Sequence, residues 1–203
     1  MKDFWDERYN SDEYIYGKAP NEYLKEKLDS YNKGKILLPA DGEGRNAVFA
    51  SLLGWETTSF DISTEGKNKA LKLAKENNIS IKYDIFDYDN LNYEKNFFDY
   101  IGFFYAHFSS DIRNKYYKKI LEYLKPNGFV IFEAFSKKQL EYQKNNNSGG
   151  PKDINILFSI EETKNIFDNF TILELEEKEV LLQEGSFHNG LGSVIRFLGK
   201  KNN

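Results

Sequence analysis

The sequence predicts an α/β fold: a doubly wound, seven-stranded sheet with helices on both faces and an antiparallel last strand. Three observations predict it. Apolar or β-branched runs alternate with helix-like stretches from residue 35 to about residue 168. The run FFDYIGFFY (97–105) is apolar along its length, as expected of a strand covered on both faces. Near the end, FTILELEEKEVLLQ (170–183) and LGSVIRFLGK (191–200) are joined only by EGSFHNG, too short a link for a crossover helix, which forces an antiparallel hairpin.

The elements follow in order. KILLP (35–39) reads as the first strand, and RNAVFASLLG (45–54) as a helix stopped by Gly54. WETTSF (55–60) is the second strand. Ser63 then caps a helix to about Asn77, with Ala70, Leu71 and Ala74 on one face. ISIKY (79–83) and residues 97–105 are strands three and four. A helix opened by Ser110 or Asp111 ends near Leu124 and is closed by Pro126-Asn127-Gly128, before FVIFEAF (129–135) forms strand five. Ser159 and Glu162 are spaced as a capping box for a helix to about Asp168. Strand six runs parallel to the first five and the last strand returns. EYQKNNNSGGPK (141–152) is polar and glycine-bearing and is expected to be the most mobile stretch. The expected organisation is one domain over residues 1–203, with an aromatic-rich cover at 1–31 (Phe4, Trp5, Tyr9, Tyr14, Tyr16, Tyr23) on an α/β core at 32–203.

Composition excludes several functions. A net charge of −4 argues against a general nucleic-acid binder, which needs a basic face. The chain has no cysteine, so no disulfide framework, thiolate nucleophile or cysteine-ligated metal is possible. No apolar run reaches the roughly 18 residues of a membrane span, and MKDFWDERY lacks the apolar core of a signal peptide. A cytoplasmic protein without membrane or nucleic-acid partners is expected. Glu174, Glu176, Glu177 and Glu179 have no histidine among them and read as a solvated strand face, so no metal is expected.

The chemistry concentrates in LPADGEGRNAVFASLLGWETTSFDIS (38–63). A strand, a glycine turn and a helix place backbone N–H groups and a helix N-terminus at the carboxyl edge of the sheet. Gly42 and Gly44 are expected to let a ligand approach the backbone where a Cβ would collide. Asp61 follows Gly42 by 61 − 42 = 19 positions, at the end of the next strand, where a carboxylate can accept from both ribose hydroxyls. The constellation points to a nucleoside-containing cofactor. GEGRNA also fits the dinucleotide pattern G-x-G-x-x-A. Against that stand the lack of room for a substrate domain, the absence of Tyr-x-x-x-Lys (Ile120 and Leu121 follow Tyr116 and Tyr117 by four) and the terminal hairpin.

The chain resembles the class I S-adenosylmethionine-dependent methyltransferases, closest to their tellurite-resistance and thiopurine-methyltransferase-like branch. The pieces that carry the resemblance are FWDERY…YGKAPNEYL, GEGRNAVFA, FDIS, YDIFDY, FDYIGFFYAHF, LKPNGFVIFEAF, GGP and EGSFHNG. It implies a Rossmann-like seven-stranded fold, S-adenosylmethionine as cofactor with S-adenosylhomocysteine as product, and in-line methyl transfer to a small soft or anionic acceptor, in a monomer or homodimer. Gly42, Glu43 and Gly44 would line the methionine part. Asp61 would hold the ribose, with Ile62 beside the adenine. Asp84 and the Ile85 N–H would read the adenine edge, and Tyr105, in the aromatic end of strand four, would lie under the sulfonium. Leu38 and Ala40 stand where the family carries an acidic residue and a glycine; Asp41 offers a nearby carboxylate. The alternatives are a non-catalytic cofactor-binding module and a methyltransferase acting on RNA or protein. His107 and His188 are expected at one mouth of the domain, as base or anion-steering groups, and Arg113 as a contact to an anionic acceptor.

Overall fold

The computed structural model describes residues 1–145 and 148–203. Two short helices, α1 (Lys2–Tyr9) and α2 (Glu22–Leu28), precede the sheet. Then come β1 (Lys35–Pro39), α3 (Arg45–Leu52), β2 (Glu56–Asp61), α4 (Thr64–Glu76), β3 (Lys82–Ile85), β4 (Phe98–Phe104), α5 (Ser110–Leu121) and β5 (Leu124–Phe135). The chain continues through α6 (Gln139–Asn145), α7 (Ile160–Ile166), β6 (Phe170–Glu184) and β7 (His188–Lys201). The sheet order is β3-β2-β1-β4-β5-β7-β6. The first five strands pair in parallel, and β7 is antiparallel to both β5 and β6. The expected seven-stranded sheet with its terminal hairpin is therefore present, and β6 does run with the first five.

Side-chain alternation in the central strands builds two apolar layers. Leu37, Ile101, Phe103, Phe132 and Phe197 face α5 and α7 through Tyr117, Ile120 and Ile166. Ile36, Leu38, Tyr100, Ile131 and Leu198 face α2 and α3 through Tyr23, Leu24, Ala47 and Ala50. The capping box at α7 forms as expected, and Ser63 caps α4 by accepting from the Gly66 N–H.

Where boundaries differ, local backbone chemistry explains it. β3 begins three residues later than the apolar run because α4 ends in a Schellman motif. Asn78 takes φ +57°, its N–H bonds the Lys75 carbonyl, and the Ile79 N–H bonds that of Ala74. Pro126-Asn127-Gly128 is a bulge inside β5, where the register jumps between the Phe98–Leu124 and Tyr100–Phe129 pairs. α6 covers the start of the polar stretch 141–152. Gln139 and Gln143 then bond the Gly149 carbonyl beyond it. Asn146 and Asn147 lie outside the described residues. No helix among the described residues is long and apolar enough to cross a membrane.

The N-terminal segment is laced to the body. Glu43 accepts from the Ile15 and Tyr16 N–H groups and from Lys69. Asp6 accepts from the Ser63 hydroxyl at 2.6 Å and the Glu65 N–H at 3.1 Å. The Ser186 N–H, in the β6–β7 turn, donates to the Ile15 carbonyl.

Gly44 is the tightest point of the frame. It is the N-cap of α3 at φ +83°, and a Cβ there would stand 2.3 Å from that of Ala70 on α4. Gly44→Ala combines a left-handed penalty of about 1–2 kcal/mol with overpacking of about 1–3 kcal/mol. Urea unfolding should show a loss of roughly 2–5 kcal/mol at unchanged slope. Adding Ala70→Gly should recover only part, because the backbone penalty remains; full recovery would mean that packing is the whole reason for the glycine.

Candidate functional site

At the carboxyl edge of the sheet lies a cleft of about 780 Å³, within the size range of small-molecule sites. Its floor is the β1–α3 turn, the ends of β2 and β4, and Phe135 of β5. α1, the Gly149–Lys152 segment and the β6–β7 turn wall it in.

Gly42, Glu43, Asp61, Ile62, Tyr105, His107 and His188 all line this cleft. The reason for the glycines is different from the one expected. A Cβ on Gly42 (φ +55°) would meet the Tyr9 hydroxyl at 2.6 Å, and one on Gly44 would meet Ala70. The chain itself fills the space that a ligand was expected to use. Glu43 likewise spends both carboxylate oxygens on the N-terminal cover and Lys69.

Asp61 is buried. One oxygen accepts from the Gly42 N–H at 3.0 Å and the other from the Ser63 N–H at 2.9 Å. Burial nonetheless outweighs these backbone bonds and pushes its pKa up to about 6. Asp41 stands beside it. One of its oxygens accepts from the Ala47 N–H at 3.3 Å, and the other, Oδ1, is buried with no hydrogen-bond partner among the described residues. Burial drives its pKa well above the usual carboxylate value, with Ala47 and Arg45 offsetting this only in part.

The two histidines share the cleft but differ in freedom. His107 is used up on both sides. Its Nδ1 lies 3.0 Å from the Ile156 carbonyl, and its Nε2 accepts from the Phe135 N–H at 3.4 Å, which makes Nδ1 the protonated nitrogen. Burial holds it neutral, with a pKa of about 3. The His107 imidazole therefore has no lone pair for an acceptor's proton, which corrects its expected role. His188 opens β7, and its Nδ1 sits 3.0 Å from Glu184 at the end of β6. Its Nε2 has no partner among the described residues. The rings of Tyr16, Tyr105 and Phe135 surround the imidazole at 4.6, 4.6 and 5.0 Å. Burial lowers the His188 pKa below 6.5 and Glu184 restores only part of it. Burial would raise the pKa of Glu184, but Arg45, 2.9 Å away, and His188 pull it down to about 2.

Four expected site residues do not line the cleft: Gly44, which is packed against Ala70, and three that lie elsewhere. Arg113 is buried beside a separate hollow of about 100 Å³. Its guanidinium donates to the Asn155 and Leu157 carbonyls at 2.8 and 3.0 Å, and sits 3.9 Å over Phe158. It clamps the chain ahead of α7 and has no path to an acceptor. Asp84 accepts from the Tyr93 hydroxyl at 2.9 Å, and neither it nor the half-exposed Ile85 lines the cleft. β3 is an edge strand.

Sequence reasoning missed Asn21, Arg45 and Arg8. Asn21 is almost wholly buried. Its side-chain oxygen caps α2, and its Nδ2 donates to Glu133 at 2.6 Å and Glu184 at 3.2 Å. The only trace in the sequence was a cap-type residue after Pro20.

Residues 36–128 match the family model of a methyltransferase domain. No curated protein matches the chain. Among solved structures, the chain is similar to the one described for conversion of a disulfide bond into a thioacetal group during echinomycin biosynthesis. The TM-score is 0.80 at 14% identity, over 100% of this chain and 92% of that one. It is similar to TehB from Haemophilus influenzae, with TM-score 0.72 at 18% identity over 99% and 67%. A S-adenosylmethionine-dependent methyltransferase from Clostridium acetobutylicum gives 0.65 at 18% over 99% and 97%. The domain match over residues 36–128, on a fold shared with S-adenosylmethionine-dependent methyltransferases, supports a methyltransferase enzyme with S-adenosylmethionine as its cofactor.

Proposed function

We propose that the protein transfers a methyl group from S-adenosylmethionine to a small, soft or anionic acceptor, and that His188 removes the acceptor's proton. The observation that carries this reading is one cleft holding Asp61 and an imidazole whose Nε2 is free while its Nδ1 rests on a buried carboxylate.

The residues fit the cofactor. Asp61 would accept from the ribose hydroxyls, with Ile62 beside the base. The unpartnered Oδ1 of Asp41 is the acceptor that an ammonium group requires, so it takes the place of the acidic residue that Leu38 displaces. Gly42 and Gly44 would shape the turn beneath the methionine part, with Glu43 fixing the cover above it. Tyr105, held by its hydroxyl bond to Glu133 at 2.9 Å, would line the transfer point. When bound, the cofactor supplies an electrophilic methyl and a neutral thioether leaving group.

The remaining chemistry belongs to the chain. Glu184 fixes the tautomer of His188 by accepting from Nδ1–H, which leaves the Nε2 lone pair for the acceptor's proton. Arg45 and Asn21 keep Glu184 ionised, so the imidazolium that forms is stabilised where it forms. The surrounding rings exclude water and orient the acceptor. TehB supports placement in the tellurite-resistance branch through fold likeness. For an acceptor that arrives already ionised, alignment alone suffices.

Two outcomes test this. Asp61→Ala should weaken S-adenosylhomocysteine binding by about 1–3 kcal/mol in calorimetry, the range for hydrogen bonds to a charged group. In the unmodified protein, affinity should fall as pH drops through about 6, where Asp61 takes up its proton; pH-independent affinity would remove Asp61 from the site. His188→Ala should lower kcat by roughly 10²–10⁴-fold on a proton-bearing acceptor without weakening S-adenosylhomocysteine. Because its pKa lies below 6.5, the neutral, basic form persists at neutral pH. With S-adenosylmethionine saturating, so that protonation of Asp61 does not enter, the acid limb of kcat/KM for the acceptor should therefore fall below pH 6.5 and vanish in the variant. An acid limb that survives in His188→Ala would assign the base to another group.

A further inference from the structure

Arg8 on α1 lines the same cleft. Phe4 and Trp5 precede it by four and three positions and so share its helix face. Its guanidinium carbon lies 4.7 and 5.4 Å from their ring centres, and 5.0 Å from Phe187 on the β6–β7 turn. Arg45, Arg113 and Arg196 each face a carboxylate. Arg8 alone of the four arginines faces none among the described residues. It spends one donor, on the Tyr16 hydroxyl at 3.2 Å, and a guanidinium has five. Lys152, also on the cleft wall, has no ion-pair partner among the described residues.

A cation–π staple holding α1 to the hairpin would explain the rings. Such a staple leaves the planar fork unused. That fork matches a carboxylate or a similar planar anion in two parallel hydrogen bonds. Tyr16 runs along the cleft wall from Arg8 to His188, so a ligand lying beside it and reaching both is about as long as its side chain. The hydroxyl of Tyr16 touches Arg8 while its ring lies 4.6 Å from that of His188. One phenol ring therefore spans the gap between guanidinium and imidazole. The walls along that span are themselves aromatic: Trp5, Tyr16, Tyr105 and Phe187.

We propose that Arg8 is the anion-recognising residue of the acceptor site, and that the acceptor is an aromatic acid of about one-ring length. Its acidic group sits on Arg8 and its methyl-accepting atom lies at the opposite end, beside His188. This rests on the reading of the cleft as a methyl-transfer site. In the transfer, Nε2 takes the proton of the accepting S–H or O–H. The electron pair freed there forms the bond to the methyl carbon as the carbon–sulfur bond of the donor breaks, its electrons staying on sulfur. Lys152 adds positive potential at the same mouth.

The test uses the full-length protein saturated with S-adenosylhomocysteine, titrated by calorimetry with 4-mercaptobenzoate and with its uncharged counterpart 4-mercaptobenzamide. The acid should bind at least ten-fold more tightly than the amide. Arg8→Gln should erase that preference, Arg8→Lys should restore part of it, and S-adenosylhomocysteine affinity should be equal in all three proteins. Failure of S-adenosylhomocysteine to bind the unmodified protein would overturn the methyl-transfer reading itself. With it bound, three results overturn the Arg8 proposal alone: equal or absent binding of acid and amide, a preference that survives Arg8→Gln, or loss of S-adenosylhomocysteine affinity in that variant.

Discussion

Two carboxylates taken out of water, Glu133 and Glu184, set the terms for everything around them. Burying an ion costs several kcal/mol unless each lone pair finds a donor. Glu133 is met by Arg196 at 2.6 Å, Tyr105 at 2.9 Å and Asn21 at 2.6 Å. Glu184 is met by Arg45 at 2.9 Å, His188 at 3.0 Å and Asn21 at 3.2 Å. The two sets join at Asn21, whose amide donates to both while its oxygen caps α2. Six elements are tied by this arrangement: α2, α3, β5, β6, β7 and the end of β4. None of its members can shift without leaving a buried charge short of a partner.

The consequence for the cleft is rigidity where chemistry needs it. His188 sits in a turn that, by length alone, could adopt many conformations. Here its ring is held at one nitrogen by a fixed carboxylate and on its faces by three aromatic rings. Asp61 is held by two backbone N–H groups from either side, Gly42 and Ser63. Both groups are thus aimed by bonds internal to the protein. The cost appears as pKa values displaced by burial, Asp61 upward and His188 downward, a pattern typical of sites poised for a ligand.

Sequence alone exposed the frame well, because strand periodicity, cap residues and link length are local signals. The hairpin was legible from a seven-residue link, and the shared edge of Asp61 and His188 followed from strand direction. Contacts between distant segments were not legible. Arg113 carries a positive charge wherever it lies, and nothing in its neighbours announces that two carbonyls from the segment ahead of α7 receive it. Asp84 fits the family's motif, but the Schellman tail of α4 and an edge position for β3 send it to Tyr93. Glu43 sits in the glycine turn, yet its acceptors serve the amides of Ile15 and Tyr16. The partners decide such roles, and they lie from nine positions (Tyr93 to Asp84) to more than forty (Leu157 to Arg113) away.

The 163-residue separation between Asn21 and Glu184 has a consequence for assembly. A contact that closes so long a stretch of chain forms only after the intervening entropy has been lost to earlier structure. The sheet can grow outward through local βαβ units, and the N-terminal cover finds part of its docking surface there, on Glu43, Ser63 and Glu65. Its remaining anchors, the Ile15 carbonyl on Ser186 and the aromatic side chains around His188, come only with the last hairpin. The cleft is therefore closed at the end of folding, by the first and last segments of the chain meeting, and a chain that lacks its final strands keeps the sheet edge with Asp61 but loses the wall that carries His188.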